Sequence, residues 1–155
     1  MPVKIEPILK ACLANAERLI ESAKAIRSVP GCNHIAFNLA VLALEEIGKS
    51  ILLFQESLEI KHLRQNGEEA KRPREWIDDH ERKLFWAIWL GNDSLDWRTI
   101  GESMEAASHL HFQRLAVLYF DPTQPSAQAE IEDAYLGSCL QLAEARLGME
   151  KTKKY

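Results

Sequence analysis

Apolar residues recur at intervals of three and four along almost the whole chain, which is the spacing of one face of an α-helix. The first such stripe begins at Leu9, and the Pro30-Gly31 pair is expected to end that helix. From His34 the chain is apolar on nearly every side, which is typical of a helix in the centre of a bundle. This second helix is predicted to extend to about Leu63.

The middle of the chain predicts two more helices. Pro73 suits the first position of the third helix, because its missing N–H costs nothing there, and the helix is expected to end near Gly91. Thr99 and Glu102 resemble a capping box at the start of the fourth helix, unless that helix begins earlier, near Ser94. The predicted core stripe of the third helix is Trp76, Ile77, His80, Leu84, Ala87 and Ile88. That of the fourth helix is Ile100, Met104, Ala107, His111, Leu115 and Leu118.

A fifth helix is expected over about residues 126–150, after Pro122 and Pro125 have broken the fourth. Its predicted stripe is Ile131, Ala134, Tyr135, Ser138, Leu142 and Met149. No strand pattern or internal repeat interrupts these helices, and 155 residues is the size of one domain. The sequence therefore predicts an all-α, single-domain bundle of about five helices over residues 1–155.

The charge and the cysteine content limit the classes of function and the cellular compartment that the chain can have. A formal charge of −4 excludes a protein that coats DNA with a basic face, so any contact with nucleic acid must come from a few cations in a local site. The three cysteines are widely spaced and form no CxxC pair, which favours free thiols in a reducing compartment. No apolar stretch reaches the roughly 20 residues that span a bilayer. We therefore expect a cytoplasmic protein without a membrane partner.

A charged segment interrupts the most apolar helix. Lys49 follows Glu45 by four residues and Glu46 by three, so either carboxylate can meet its ammonium group on one face. Gly48 costs the helix about 1 kcal/mol relative to alanine, which predicts the close approach of another backbone. Two interpretations remain open. The segment is either a polar site in the centre of the bundle or the point where the helix leaves the core and becomes solvated.

Other residues that can carry chemistry lie on the third and fourth helices. His80 is on the predicted apolar stripe with Lys83 one turn later, and Arg114 lies on the fourth helix. Because the second, third and fourth helices must pack together, we expect Glu45 or Glu46 within hydrogen-bonding reach of Lys49 and of His80 or Arg114. A lone histidine on an apolar face is more often a core residue than a catalyst, so a structural role stays open.

A metal site has little support in the sequence. A four-helix di-iron site needs two Glu-x-x-His motifs, and only Glu59-x-x-His62 matches. The cysteines are too scattered for a zinc site. The chain also lacks a nucleophile elbow, a phosphate-binding loop and a dinucleotide fingerprint. We therefore predict neither a metal nor a cofactor.

Several of these segments together resemble the AbiV family of bacterial abortive-infection proteins. They are Leu39–Lys49 (LAVLALEEIGK), His80-x-x-Lys83, Arg114–Asp121 (RLAVLYFD) and Ala14–Glu17 (ANAE) in the first helix. The resemblance covers about residues 10–121, and its most specific part is the Glu-Glu-Ile-Gly-Lys core. The AbiV family is placed in the HEPN superfamily of helical bundles. The resemblance implies phage defence, a homodimer and, in many relatives, metal-independent cleavage of RNA.

Ribonucleases of the HEPN superfamily carry an Arg-x(4–6)-His motif, which occurs here as Arg74-x5-His80 and as Arg27-x6-His34. On an ideal helix, a spacing of six separates two residues by about 120°, so Arg74 and His80 converge only if the first turn is irregular. For RNA cleavage, which needs a base, an acid and a cation near the phosphate, the candidate catalytic residues are His80, Arg74, Lys83 and Glu46. The residues expected to bind the substrate are Lys49, Arg114 and Glu45.

Two functions of different class follow. The first is an RNA-targeting toxin that cleaves RNA or blocks translation and responds to a phage-encoded protein. The alternative is a non-enzymatic helical dimer that binds protein or RNA around a structural polar core. Trp86, Trp89 and Trp97 present more aromatic surface than a small bundle easily hides, which also predicts a homodimer. A cleft lined by His80 with Lys49 or Arg114 favours the enzyme, and a buried, fully satisfied network favours the binding module.

Overall fold

The computed structural model describes residues 5–58, 78–89, 97–118 and 130–153, which form five α-helices. No strand occurs among these residues, and the predicted all-α class is confirmed. None of the described helices is long and apolar enough to cross a membrane. The helices are α1 (Ile5–Arg27), α2 (Asn33–Ser57), α3 (His80–Ile88), α4 (Trp97–Leu118) and α5 (Asp133–Lys151).

Helix α2 is the central element, because it contacts each of the other four helices. Its buried residues occupy nearly every side, as its apolar sequence predicts. Two buried polar residues, Asn38 and Ser50, donate hydrogen bonds to carbonyls of α2 itself. The third, Glu45, finds its partners on other helices. The apolar centre of the bundle therefore contains one carboxylate that depends on tertiary contacts.

Helix α2 ends at Ser57, earlier than the predicted end near Leu63. The N–H of Leu58 bonds back to the carbonyls of Phe54 and Gln55, which tightens the last turn. Leu58 is 56% exposed, so no core contact favours continuing the helix there. The predicted last turn, from residue 59 onwards, lies outside the described residues.

Helix α1 packs on α2 through the stripe that its sequence predicts. Gly31 follows with a φ of 77°, a left-handed conformation that glycine adopts without steric cost, and the chain reverses into α2. At the end of α1, Arg27 donates two hydrogen bonds to the carboxylate of Asp133 at the start of α5, at 2.8 and 2.7 Å. The buried residues of α1 are Leu9, Cys12, Leu13, Ala16, Ile20 and Ala23.

Helix α3 is shorter than the sequence predicts. Asp78 and Asp79 are not helical, and the Asp79 side chain caps the new helix by accepting a hydrogen bond from the Arg82 N–H at 3.0 Å. Pro73 lies outside the described residues. A continuous helix through His80 from Pro73 is therefore wrong, because the capped turn separates them. The helix also ends at Ile88, before the predicted end near Gly91.

The core stripe predicted for α4 is rotated from the observed one. The helix begins at Trp97, so Thr99 lies inside it and is not an N-cap. Leu118 is 53% exposed, and Arg114 is buried instead. A stripe drawn through apolar residues alone missed the buried face because that face includes an arginine. The buried residues of α4 are Ala107, Leu110, Arg114 and Val117.

The same error affects α5, which begins at Asp133 and not near residue 126. The predicted stripe includes Ser138 and Met149, which are exposed, whereas the buried face contains Arg146 and Glu150. Arg146 Nη2 lies 3.3 Å from Glu150 Oε1, so each charge compensates the other inside the protein. The buried residues of α5 are Leu136, Cys139, Leu140, Ala143, Arg146, Leu147 and Glu150.

Arg146 also joins α5 to the end of α3. Its Nε donates to the Ala87 carbonyl at 2.6 Å, and its Nη2 to the Trp86 carbonyl at 3.4 Å. These carbonyls belong to the last turn of α3, where they lack partners within the helix. The guanidinium therefore satisfies the C-terminal end of α3 and holds that short helix against the bundle.

Candidate functional site

Glu45 is the centre of a charged cluster between α2, α3 and α4. The residue is only 4% exposed. Its Oε1 accepts a hydrogen bond from Arg114 Nη1 at 2.6 Å, and its Oε2 lies 2.8 Å from His80 Nδ1. Lys83 Nζ is 3.3 Å from the same Oε2. One buried carboxylate thus contacts an arginine, a lysine and a histidine, and we call these four residues the Glu45 cluster.

Gly48 explains how α3 comes close enough to complete the cluster. A methyl group at this position would overlap the backbone carbonyl of Lys83. Only glycine permits this approach of the two helices, which confirms the close approach predicted for Gly48. His80 and Lys83 are one turn apart on α3, so the same contact brings both side chains to Glu45.

Arg114 enters the cluster from the buried face of α4. Its side chain is 8% exposed and that of Lys83 is 12% exposed, so both cations are largely removed from water. Burial of a cation is costly unless an anion accompanies it, and Glu45 is that anion. Arg114 Nε is nevertheless buried without a hydrogen-bond partner among the described residues. The cluster therefore retains one unused buried donor.

His80 connects the cluster to the surface. Its side chain is 46% exposed, while the carboxylate that it contacts is buried. The contact with Glu45 uses Nδ1, which leaves Nε2 as the ring nitrogen available to a ligand. The His80 ring also stacks on the His111 ring, with centroids 5.3 Å apart and planes 12° apart.

His111 is a further residue of the site, although its sequence position predicts only a place on the apolar stripe of α4. Burial lowers the pKa of His111. Arg114 and His80 lower that pKa further, whereas Glu81 and Glu45 raise it. Its Nδ1 is buried with no hydrogen-bond partner in the described part of the chain. The available signal was its position three residues before Arg114, which puts both on one helical face.

Glu46 and Lys49 form a separate pair. Their Oε1 and Nζ atoms are 2.6 Å apart, with side chains 20% and 28% exposed. Both influence Cys12 on α1: burial raises the pKa of that thiol, Lys49 opposes the rise and Glu46 adds to it. The two glutamates therefore serve different neighbours, and neither contacts both Lys49 and His80. The predicted single network is in fact two.

The remaining sequence candidates divide by location. Arg74 and the Glu59-x-x-His62 match lie outside the described residues. Arg27, from the second Arg-x(4–6)-His match, is engaged with Asp133 and ties α1 to α5. His34 lies with it on the wall of a cavity of about 470 Å³.

Two further observations concern metals and thiols. Within residues 5–58, 78–89, 97–118 and 130–153, no group of three or more His, Cys, Asp or Glu side chains is arranged to hold a metal. All three cysteines are free, as the sequence analysis expects. Burial raises the pKa of Cys139 to about 12, so this thiol stays protonated at neutral pH.

The fold and the cluster define a class: an all-α bundle whose central helix holds a buried carboxylate against cations from two neighbours. The AbiV family model matches residues 4–145 of the 155-residue chain. The chain belongs to this family of the HEPN superfamily, which indicates a role in abortive-infection defence. The match extends beyond residues 10–121 and reaches into α5. No curated protein and no solved structure matches the chain significantly.

Proposed function

We propose that this chain is a cytoplasmic phage-defence toxin that cleaves RNA without a metal ion at the Glu45 cluster. The observation that carries the proposal is the charge balance of that cluster. Glu45 contacts the buried Arg114 and the largely buried Lys83, and Arg114 Nε–H has no partner among the described residues. A buried surplus of positive charge favours an anionic ligand, and a phosphodiester supplies that charge.

The exposure of His80 supports an enzyme over a structural core. A purely structural network is expected to be buried and fully satisfied. Here the His80 side chain is 46% exposed, and Arg114 lacks a partner for Nε among the described residues. Glu45 also has two cationic partners without His80, so the histidine is not needed to compensate the buried carboxylate.

Cleavage of RNA by its own 2′-hydroxyl needs a base, an acid and a cation near the phosphorane. In this proposal His80 supplies proton transfer through Nε2, and Arg114 and Lys83 stabilise the charge on the phosphate. Glu45 orients the imidazole through Nδ1 and compensates the cations. Glu46 and Lys49 stay outside the reaction because they pair with each other. Arg74 remains a sequence-based prediction of a further catalytic residue, from the Arg74-x5-His80 match.

The proposed assembly is a homodimer that responds to a phage-encoded protein. Phe112 is 72% exposed and Leu118 is 53% exposed on α4, which favours a partner surface there. Trp86 and Trp89 contribute less exposed surface than predicted, because both are partly buried against Phe85 and the core. The side chain of Trp97 lies outside the described part of the chain. The translation machinery remains the alternative target for a toxin of this kind.

The test is cleavage of cellular RNA by purified protein with EDTA present. The wild type is expected to cleave in EDTA, and His80→Gln to lose about 100-fold or more in rate. His109→Gln is the matched control, because His109 is also exposed but lies outside the Glu45 cluster. Dependence on an added divalent metal would contradict the proposal.

Growth inhibition and melting temperature separate the enzyme from the binding module. If His80 is catalytic, His80→Ala abolishes toxicity and leaves the melting temperature nearly unchanged, because Glu45 keeps its two cations. If His80 is structural, the variant loses about 1–3 kcal/mol of stability, and toxicity falls only as folded protein falls. Intact RNA together with this second pattern would establish the non-enzymatic module.

A further inference from the structure

The stacked pair His80 and His111 is the feature of the site that the proposed function leaves unexplained. The rings come from different helices, α3 and α4, and lie nearly parallel with centroids 5.3 Å apart. His80 is about half exposed and His111 is partly buried beneath the same surface. Two imidazoles at this separation influence each other's protonation, because two positive charges there repel.

In both rings, Nδ1 is the nitrogen that is turned towards the protein. His80 Nδ1 is occupied by Glu45 at 2.8 Å. His111 Nδ1 is buried and has no hydrogen-bond partner among the described residues. The inner nitrogen of each ring is therefore withdrawn from solvent, and Nε2 is the nitrogen that each ring offers to a substrate.

We infer that His111 is the second catalytic residue of this site, acting as the general base while His80 acts as the general acid. The inference rests on the proposed function and deepens it, because it assigns the two proton transfers to two named rings. The two stacked rings and the two cations that would hold a phosphodiester, Arg114 and Lys83, belong to one chain, so this assignment gives each chain its own acid–base pair.

The step balances as an ordinary transesterification. His111 Nε2 takes the proton of the 2′-hydroxyl, and the resulting 2′-oxygen forms a bond to phosphorus. The bond between phosphorus and the 5′-oxygen breaks, and His80 Nε2 donates its proton to that leaving oxygen. The products are a 2′,3′-cyclic phosphate and a free 5′-hydroxyl, and no oxidant, reductant or metal takes part.

The surroundings of the rings favour this assignment of acid and base. His111 faces Arg114 on its own helix, His80 and Glu81 on α3, and Glu45 on α2. Burial lowers the pKa of His111 and the cations lower it further, so His111 is neutral and able to accept a proton. His80 Nδ1 lies 2.8 Å from the Glu45 carboxylate, so a protonated His80 ring donates there through Nδ1 and carries its transferable proton on Nε2.

The experiment compares two substrates that differ in their leaving group. RNA has a poor leaving group, whereas a ribonucleoside 3′-(4-nitrophenyl phosphate) has a good one that needs no general acid. On RNA, His80→Gln and His111→Gln should each lose about 100-fold or more. On the nitrophenyl ester, His80→Gln should recover to within about threefold of wild type, and His111→Gln should not.

Ring-proton NMR titration of the unliganded protein tests the coupling without any substrate. His111 should titrate below its ordinary value of 6.5 in the wild type and move upwards in His80→Gln. An unchanged His111 titration in that variant would overturn the coupled pair. The measurement needs no His111 variant, so it stands even if His111→Gln folds poorly. His109→Gln serves as the control in both experiments, since His109 lies elsewhere on α4.

The outcomes separate this inference from the proposed function. If the wild type cleaves RNA and His111→Gln does so equally well, the inference is wrong and the proposed function stands. If the ester rescues His111→Gln but not His80→Gln, the roles are reversed and the assignment is wrong. If the wild type cleaves neither substrate, the proposed function fails, and the catalytic roles fail with it.

Discussion

Two buried ionic clusters in this protein resemble each other in composition and differ in what they leave open. Glu45 and Glu150 are 4% and 1% exposed, and each contacts an arginine and a lysine. In the cluster of Glu150, Arg146 also donates hydrogen bonds to the carbonyls of Trp86 and Ala87 in the last turn of α3. The partial negative charge at the C-terminal end of α3 also stabilises the positive charge of Arg146.

In the Glu45 cluster, the arginine makes no comparable hydrogen bonds to backbone carbonyls among the described residues. Among the described residues, Arg114 Nε stays unpaired, and the cluster continues to the surface through His80. A buried ion pair is therefore weak evidence for a functional site in this fold. An unpaired donor together with a titratable ring that reaches the surface distinguishes the candidate site from the structural tie.

The largest expected effect comes from breaking the structural tie. Arg146→Met should lower the free energy of unfolding by about 3–5 kcal/mol, because it leaves buried Glu150 poorly compensated and uncaps α3. Arg114→Met should cost less, since Glu45 keeps Lys83 and His80. Urea unfolding of both variants measures the difference.

The control for this pair is Lys151→Met, which removes an exposed ion pair with Glu17 and should cost less than about 1 kcal/mol. An Arg146→Met variant no less stable than Lys151→Met would show that the two arginines do not differ as described.

An intermediate effect is expected from closing the gap at Gly48. Gly48→Ala should destabilise by about 1–3 kcal/mol, because the added methyl group meets backbone that has to move, and Lys83 and His80 move with it. Gly101→Ala is the matched control in α4, where a methyl group meets open space. That change should raise stability by up to about 1 kcal/mol. Thermal unfolding of both variants decides, and equal effects would contradict the tight helix contact.

The smallest expected effect is a difference between the two clusters in how protein stability depends on pH. The pKa of His111 is lowered in the folded protein, mainly by burial, so the unfolded chain takes up its proton first as the pH falls below 6.5. Stability should therefore decline from about pH 7.5 to pH 5.5, and His111→Gln should flatten that decline. Arg146→Met leaves His111 and its surroundings in place, so this variant should keep the wild-type slope. Melting temperatures across this range provide the measurement.

Much of the fold follows from local patterns. The apolar periodicity predicts α1 and the central position of α2, because a helix that is apolar on all sides must be covered on all sides. Gly48 predicts a close helix contact, which α3 provides at Lys83. The same reasoning failed for α4 and α5. Their buried faces include Arg114, Arg146 and Glu150, which count as polar in any apolar stripe.

The sequence by itself determined the helical class, the central helix and the set of charged residues from which the site is drawn. Only the tertiary structure decided that Glu45 and not Glu46 contacts His80 and Arg114, and that His111 stacks on His80. Helical spacing predicts which residues share one face of a helix, because that geometry depends only on neighbouring residues. Which face meets which helix depends on contacts between distant segments, where a buried charge is stable only beside its partner.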